Sequence, residues 1–169
     1  MSVNSMEYVT FGGEDYPSYE AEGNASQFAM PFAKKWCHGK GLDIGCNRSE
    51  WAYPGAKMID LDIEDEWSAF HLPDEKYDYI FSSHCLEHLP DWVGALNYWC
   101  TRLKKDGIMF LYLPHYSQKY WRPWNNRKHV NILTPEIMYD YFTETGWKNV
   151  QVSGTDLNHS FYVVGTFDG

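Results

Sequence analysis

The chain has 169 residues, enough for one domain with a sizeable core, and its 44% hydrophobic and 18% aromatic content excludes a disordered or fibrous polymer. Fourteen Lys and Arg against 23 Asp and Glu leave a net charge of −9, which disfavours nucleic acid and anionic membrane as partners of the whole surface. The N-terminus shows no basic and apolar leader, no apolar run nears the roughly 20 residues that span a bilayer, and Cys37, Cys46, Cys85 and Cys100 lack C-x-x-C spacing. Reduced thiols in a cytoplasmic protein are therefore expected.

Residues 1–23 are polar and aromatic, with Gly12-Gly13 and Pro17, and read as an arm or cap; residues 24–169 read as a single domain. Asn24 is a candidate N-cap for a helix over 25–37, where Phe28, Phe32 and Trp36 recur every four residues and Pro31 kinks or divides the pattern. Gly39-Lys40-Gly41 breaks the chain before an apolar strand at 42–44, which runs into the small-residue turn Gly45-Cys46-Asn47. A second strand at 56–61 carries Asp60 at its end. Strand, tight turn and strand-end carboxylate are how a Rossmann-like sheet holds the ribose of a nucleotide-type cofactor. The turn lets backbone N–H groups approach the ligand, and the acid accepts hydrogen bonds from two ribose hydroxyls. Asn47 stands where a second glycine is usual, and asparagine is among the few residues that tolerate a left-handed backbone.

A third strand is predicted at 77–82. Asp91 then reads as an N-cap for a helix with Val93, Leu96, Cys100 and Leu103 on one face, ending at Lys104-Lys105-Asp106-Gly107. Residues 108–113 are apolar throughout, as in a strand buried on both faces. Thr134-Pro135-Glu136 opens another helix, with Ile137, Met138, Tyr141 and Phe142 as its apolar stripe and Gly146 as its stop. Strands at 147–152 and 161–167, joined by a short polar link, should form an antiparallel hairpin at one sheet edge. The expected fold is α/β, a Rossmann-like doubly wound sheet, mostly parallel with that antiparallel C-terminal hairpin. The segment between Asp60 and Tyr77 is too short for a helix and a further strand, so the third-strand edge is expected to be abbreviated.

In order, Gly41-Leu42-Asp43-Ile44-Gly45-Cys46, Asp60, the run Leu72-Pro73-Asp74-Glu75-Lys76-Tyr77-Asp78-Tyr79-Ile80, Ser83-His84-Cys85-Leu86-Glu87-His88-Leu89, Leu103-Lys104-Lys105-Asp106-Gly107 and Leu113-Pro114-His115 resemble the motifs of class I S-adenosylmethionine-dependent methyltransferases of the type 11-like kind. The resemblance implies S-adenosylmethionine as cofactor, S-adenosylhomocysteine as product, and transfer to an O or N atom of a small-molecule acceptor such as a sugar, a nucleotide-sugar or another metabolite. It implies a cofactor site from Asp43, Gly45, Cys46, Asn47, Asp60, Leu61, Trp67 and Ser83. Asp43 would orient the loop, and Trp67 would stack on adenine, with Asp65 and Ser68 as neighbouring candidates. A non-catalytic module that holds the cofactor and acts through a partner is the alternative. Nothing in the pattern sets an oligomeric state.

Two stretches carry further chemistry. His84-Cys85-Leu86-Glu87-His88 satisfies H-x-x-E-H, which on a helix would bind zinc for hydrolysis. Pro90 and the strand before it argue against that helix, so no metal site is expected. Ser83 and His84 should line the crevice at the strand's end, with Glu87 and His88 in structural hydrogen bonds. The second stretch lies within a basic-aromatic loop at 114–133: residues 119–129 hold four of the fourteen Lys and Arg beside Tyr120, Trp121 and Trp124. Such a loop suits an acceptor lid whose arginines hold phosphate or carboxylate. His115 and His129 are its candidate general bases, with His84 shaping the pocket.

Overall fold

The computed structural model describes residues 7–17, 24–64 and 66–169. In chain order the strands are β1 (Tyr8–Phe11), β2 (Glu14–Pro17), β3 (Gly41–Ile44), β4 (Lys57–Ile59), β5 (Tyr77–Ser83), β6 (Leu103–Pro114), β7 (Lys148–Val152) and β8 (Ser160–Thr166). The helices are α1 (Ser26–Ala33), α2 (Trp92–Cys100) and α3 (Pro135–Glu144). β1 and β2 form a separate antiparallel hairpin, whereas the other six strands form one sheet in the order β4-β3-β5-β6-β8-β7. β4, β3, β5 and β6 run parallel; β8 pairs antiparallel with both β6 and β7. This is the expected doubly wound sheet with a reversed C-terminal hairpin. Its β4 edge is abbreviated as the sequence implied: among the described residues, only an isolated Ser68–His71 bridge lies between β4 and β5.

Period-two alternation sorts the core into two layers. Ile80, Met109, Leu111 and Leu113 face α2 and α3, where Leu96, Trp99, Met138 and Phe142 are buried. Tyr79, Phe81, Phe110 and Tyr112 face the opposite way, toward α1. Those four rings fill most of that layer, so the helix above them must present small side chains. Its buried face is Ala25, Ala29 and Ala33, not the expected Phe28, Phe32 and Trp36. The aromatics reach round its flanks instead, Phe32 onto Tyr162 and Trp36 onto Phe110, with centroids 5.5 and 6.1 Å apart. Ala25, not Asn24, occupies the cap position, and Pro31 lies within the helix.

The predicted helix end at Gly107 is also corrected. α2 stops at Cys100, and Leu103 already pairs with Tyr77; residues 104–107 are a bulge before Tyr79 meets Ile108. Asp106 takes a left-handed turn there (φ 64°), and its N–H donates to Phe167 O at 2.8 Å. The burial of α2 accordingly runs through Ala95, Leu96 and Trp99, leaving Val93 exposed. α3 begins as predicted: Thr134 Oγ1 accepts the Ile137 N–H at 3.2 Å, and Pro135 follows it. Of its expected stripe, Met138 and Phe142 are buried and Ile137 is exposed.

Part of the segment expected to be an arm is the β1–β2 hairpin, which packs on residues 119–121. Lys119 N–H donates to the Tyr16 hydroxyl at 3.0 Å, and Phe11 meets Tyr120 edge-on at 5.3 Å. Residues 1–6 and 18–23 of that arm, and Asp65, lie outside the described residues. Among the described residues no helix is long and apolar enough to cross a membrane.

Candidate active site

The parallel strands end at a cavity of about 850 Å³, within the size range of a ligand pocket. One side is the turn after β3. Gly45 has φ 83° and Asn47 φ 66°, so the backbone turns left-handed twice in three residues. A Cβ on Gly45 would lie 2.7 Å from both Cβ and Sγ of Cys85, leaving room for nothing larger than hydrogen. Gly45 N–H donates to Ile59 O at 2.8 Å, fastening the turn to β4. Asp60 follows directly. Its Oδ2 accepts the Asn47 N–H at 2.7 Å and its Oδ1 the Asp62 N–H at 2.9 Å. A carboxylate offers about four lone-pair sites, so two remain for diol hydroxyls.

Beneath the turn, Asp43 is buried. Its Oδ2 accepts the Tyr53 N–H at 2.7 Å, while Oδ1 has no hydrogen-bond partner. Burial, helped by the charge on Asp60, pushes this carboxyl up to about 7. Cys46 is buried beside it and its thiol is pushed up to about 12 by burial. Neither side chain lines the cavity, so both act on the turn from below.

The cavity floor is the end of β5. Ser83 is buried with its hydroxyl unpartnered, and it lines the cavity with His84 and Cys85. His84 is left-handed (φ 48°), and its N–H donates to Tyr112 O at 2.8 Å, which turns the ring out of the strand. His84 Nε2 lies 3.0 Å from Ser160 Oγ, whose own proton goes to Asn158 O at 3.1 Å. Nε2 therefore donates and Nδ1 keeps its lone pair. Burial holds this imidazole well below its ordinary pKa, and it stays neutral.

The far side is the basic-aromatic loop, which contributes Tyr120, Trp121, Arg127, Lys128 and His129. His129 is 3% exposed and stacks on Trp121 with centroids 4.9 Å apart at 11°. Burial, with His88 nearby, pushes it down to about 3. His115 is elsewhere. It lines an adjoining recess of about 20 Å³, whose wall shares Trp121 and His129 with the cavity, and its Nδ1 accepts the Ser117 N–H at 3.1 Å. Both histidines nominated as bases line that recess, and of the two His129 alone also lines the large cavity.

Other nominated residues are also displaced. Trp67 packs on the core with its ring 5.0 Å from His71, and does not line the cavity. Trp67 is one of the half-buried side chains that cover the core cluster to which Leu72 and Trp99 belong. Leu61 is 64% exposed outside the cavity, and Ser68 belongs to the bridge with His71. The H-x-x-E-H run is not on an α-helix: only Leu86–His88 form one 3₁₀ turn. His88, assigned only a structural role from sequence, lines the cavity. Its signal is present in the motif, but the ring it meets edge-on, His129, is 41 residues away.

A glycine turn and strand-end acid on one wall, a crevice at the carboxyl ends of parallel strands and a reversed last strand define a class I S-adenosylmethionine-dependent methyltransferase. The chain belongs to the methyltransferase-domain family, whose model, described as Methyltransferase domain, matches residues 21–152. No curated protein sequence matches it significantly. Among solved structures it is similar to a SAM-dependent methyltransferase of Thermotoga maritima (17% identity, 88% of this chain and 92% of that one, TM-score 0.70). It is also similar to one of Archaeoglobus fulgidus (15%, 88% and 97%, 0.63). A third is phosphoethanolamine N-methyltransferase 2 of Haemonchus contortus in complex with S-adenosyl-L-methionine (13%, 87% and 53%, 0.64), of which the chain spans about half. At these identities the likeness is one of fold. The protein is a methyltransferase, and its cofactor is S-adenosylmethionine.

The residues present fit that cofactor: the Gly45 cradle admits no side chain, and Asp60 retains acceptor capacity at the cavity wall.

Proposed function

We propose that the protein methylates an O or N atom of a small-molecule acceptor bearing an anionic group, held in the cavity beneath residues 119–129. One observation carries this reading. A single cavity joins Gly45, Asn47 and Asp60 to Tyr120, Trp121, Arg127 and Lys128. In a chain of net charge −9, two cations beside two rings favour an acidic ligand with a flat or apolar part. Among the described residues neither Arg127 nor Lys128 forms an ion pair. The Haemonchus protein's name supplies an example of the class, an amine joined to a phosphate.

The residue roles follow. Gly45, Asn47, Asp60 and Ser83 would hold the cofactor, with Asp43 and Cys46 shaping the turn from below. Bound there, the cofactor supplies an electrophilic methyl on a cationic sulfur. The chain's work is to align the acceptor's lone pair and exclude water. His84 Nδ1 can accept an acceptor N–H or O–H and fix its orientation. His129, held down to about 3, is too weak a base to carry proton removal near neutral pH and acts by orientation as well.

Calorimetry with S-adenosylmethionine and S-adenosylhomocysteine tests the cofactor site. Release of S-adenosylhomocysteine across a panel of phosphorylated, carboxylated and neutral amines and alcohols tests the acceptor class. Acidic acceptors should be preferred. Arg127→Ala with Lys128→Ala should raise their KM about tenfold or more, as expected for losing charge-assisted contacts, with cofactor affinity unchanged. Equal turnover of acidic and neutral acceptors would sink the anionic assignment.

A further inference from the structure

The 3₁₀ turn after β5 and the end of the basic-aromatic loop bring three ligand-type side chains together. One carboxylate oxygen of Glu87 and one ring nitrogen each of His88 and His129 lie within 4.8 Å of one another. Glu87 is 1% exposed, and neither carboxylate oxygen has a hydrogen-bond partner, although its backbone C=O accepts the Val130 N–H at 2.9 Å and the Asn131 N–H at 3.1 Å. The sequence expectation of structural hydrogen bonds is met by the backbone of Glu87 and not by its carboxyl. A buried carboxylate with empty lone pairs is costly unless something positive meets it.

His88 shows where that charge belongs. Its Nδ1 lies 2.6 Å from Lys128 O, which can only accept, so Nδ1 carries the proton and Nε2 presents a lone pair. That nitrogen is 3.5 Å from Glu87 Oε1. Two lone-pair atoms that close repel unless a cation or a proton lies between them. A histidine whose outer N–H is fixed by a carbonyl, with its inner nitrogen free, is the usual arrangement at a metal. His129 meets the His88 ring edge-on at 4.5 Å and is backed by the Trp121 ring.

We propose that Glu87, His88 and His129 form a binding site for a divalent transition-metal ion, with Zn²⁺ best matched by one carboxylate and two imidazoles. Metal–ligand bonds of about 2.1 Å place tetrahedral neighbours about 3.4 Å apart. The Glu87–His88 edge is already at that spacing, and the remaining ligand, within 4.8 Å, closes in by up to about 1.4 Å. His88 and His129 line the cavity, so the fourth position opens toward it and takes water or an acceptor heteroatom. The ion would also tie the loop to the sheet. His84 stays outside the set, its Nε2 engaged by Ser160, so this is not the hydrolase arrangement of the H-x-x-E-H motif. The site goes beyond the methyl-transfer reading and stands independently of it.

The test is zinc titration of the untagged full chain after chelator treatment and dialysis, followed by calorimetry and elemental analysis. One equivalent should bind, with the His88 and His129 ring resonances shifting and that of exposed His38 unmoved. Glu87→Gln and His129→Gln, checked for folding by circular dichroism, should each weaken binding about a hundredfold or more, at least the upper end of what losing an outer partner costs. His38→Ala should bind as the parent does. Absence of saturable binding in the parent chain overturns the proposal and assigns the Glu87–His88 gap to a proton. Undiminished binding in both variants overturns it too. Neither result bears on cofactor calorimetry, which is measured separately.

Discussion

The two ends of the cavity are built by different means. The proposed cofactor end is backbone: Gly45, Asn47 and Asp60 sit within sixteen residues of one another, and their turn is fastened by N–H groups to Ile59 O and Asp60. The proposed acceptor end is side chain. Residues 119–129 follow β6 as a loop whose shape depends on stacked rings and on the distant β1–β2 hairpin, through Tyr16, Glu14 and Phe11. The first end is specified locally and tolerates almost no change of shape. The second is specified by contacts a hundred residues apart, and should yield by degrees.

The sharpest way to break that contrast is Gly45→Val. The new Cβ meets Cys85 at 2.7 Å in a backbone with φ 83°. Left-handed strain alone costs about 1–2 kcal/mol, before overlap and branching are added. Cofactor binding should fall below detection by calorimetry, while circular dichroism still reports a folded sheet. A variant that binds normally would show that the turn is not the cofactor cradle.

Asp43→Asn probes the same end from beneath, through pH. The carboxyl titrates at its ordinary 3.8 when unfolded and at about 7 when folded, because burial opposes its charge. The folded state therefore holds the proton more tightly. The stability this gives is complete below 3.8 and is lost as pH rises toward about 7. Asparagine keeps an oxygen for the Tyr53 N–H and cannot ionise. Its melting temperature should vary less across that window, and should exceed the parent's above pH 7. Parallel curves for the two proteins would show that Asp43 is not the titrating group.

How much was legible follows the same division. The strand–turn–acid pattern placed Gly45, Asn47 and Asp60 because each is set by its own neighbours. Trp67, expected on adenine, packs on the core outside the cavity lining, because its surroundings are set by the abbreviated sheet edge. The four-residue aromatic period of α1 misled for a related reason: the sheet beneath already carries rings, so the alanines face inward. Leu103-Lys104-Lys105-Asp106-Gly107 has helix-end chemistry but is a bulge, because Leu103 pairs with Tyr77. The grouping of His88 with His129, and the absence of His115 from the large cavity's lining, arise from how the loop folds back. No local spacing encodes that.

The acceptor end gives a smaller effect. Tyr16→Phe removes the hydroxyl that accepts the Lys119 N–H and donates to Glu14 Oε2 at 2.9 Å. Losing a buried pair of this kind costs about 1–2 kcal/mol, felt by the loop before the sheet. Acceptor KM should rise severalfold at unchanged cofactor affinity. An equal loss in cofactor binding would mean that the two ends are coupled and the contrast false.

Asn47→Gly should do least. Asn47 occupies φ 66°, a conformation glycine adopts without penalty, and its recorded contact with Asp60 is made by the backbone N–H, which glycine retains. Relief of left-handed strain opposes the extra chain entropy glycine brings to the unfolded state, and the two nearly cancel. Stability should stay within about 0.5 kcal/mol, and cofactor affinity within about twofold. Asn47→Ala keeps the same N–H but lacks the local polar contact that lets asparagine sit left-handed, so it should cost about 1–2 kcal/mol. If glycine instead abolished cofactor binding while alanine melted as the parent does, the amide side chain would be a ligand-contacting group. The cofactor end would then depend on side-chain chemistry after all.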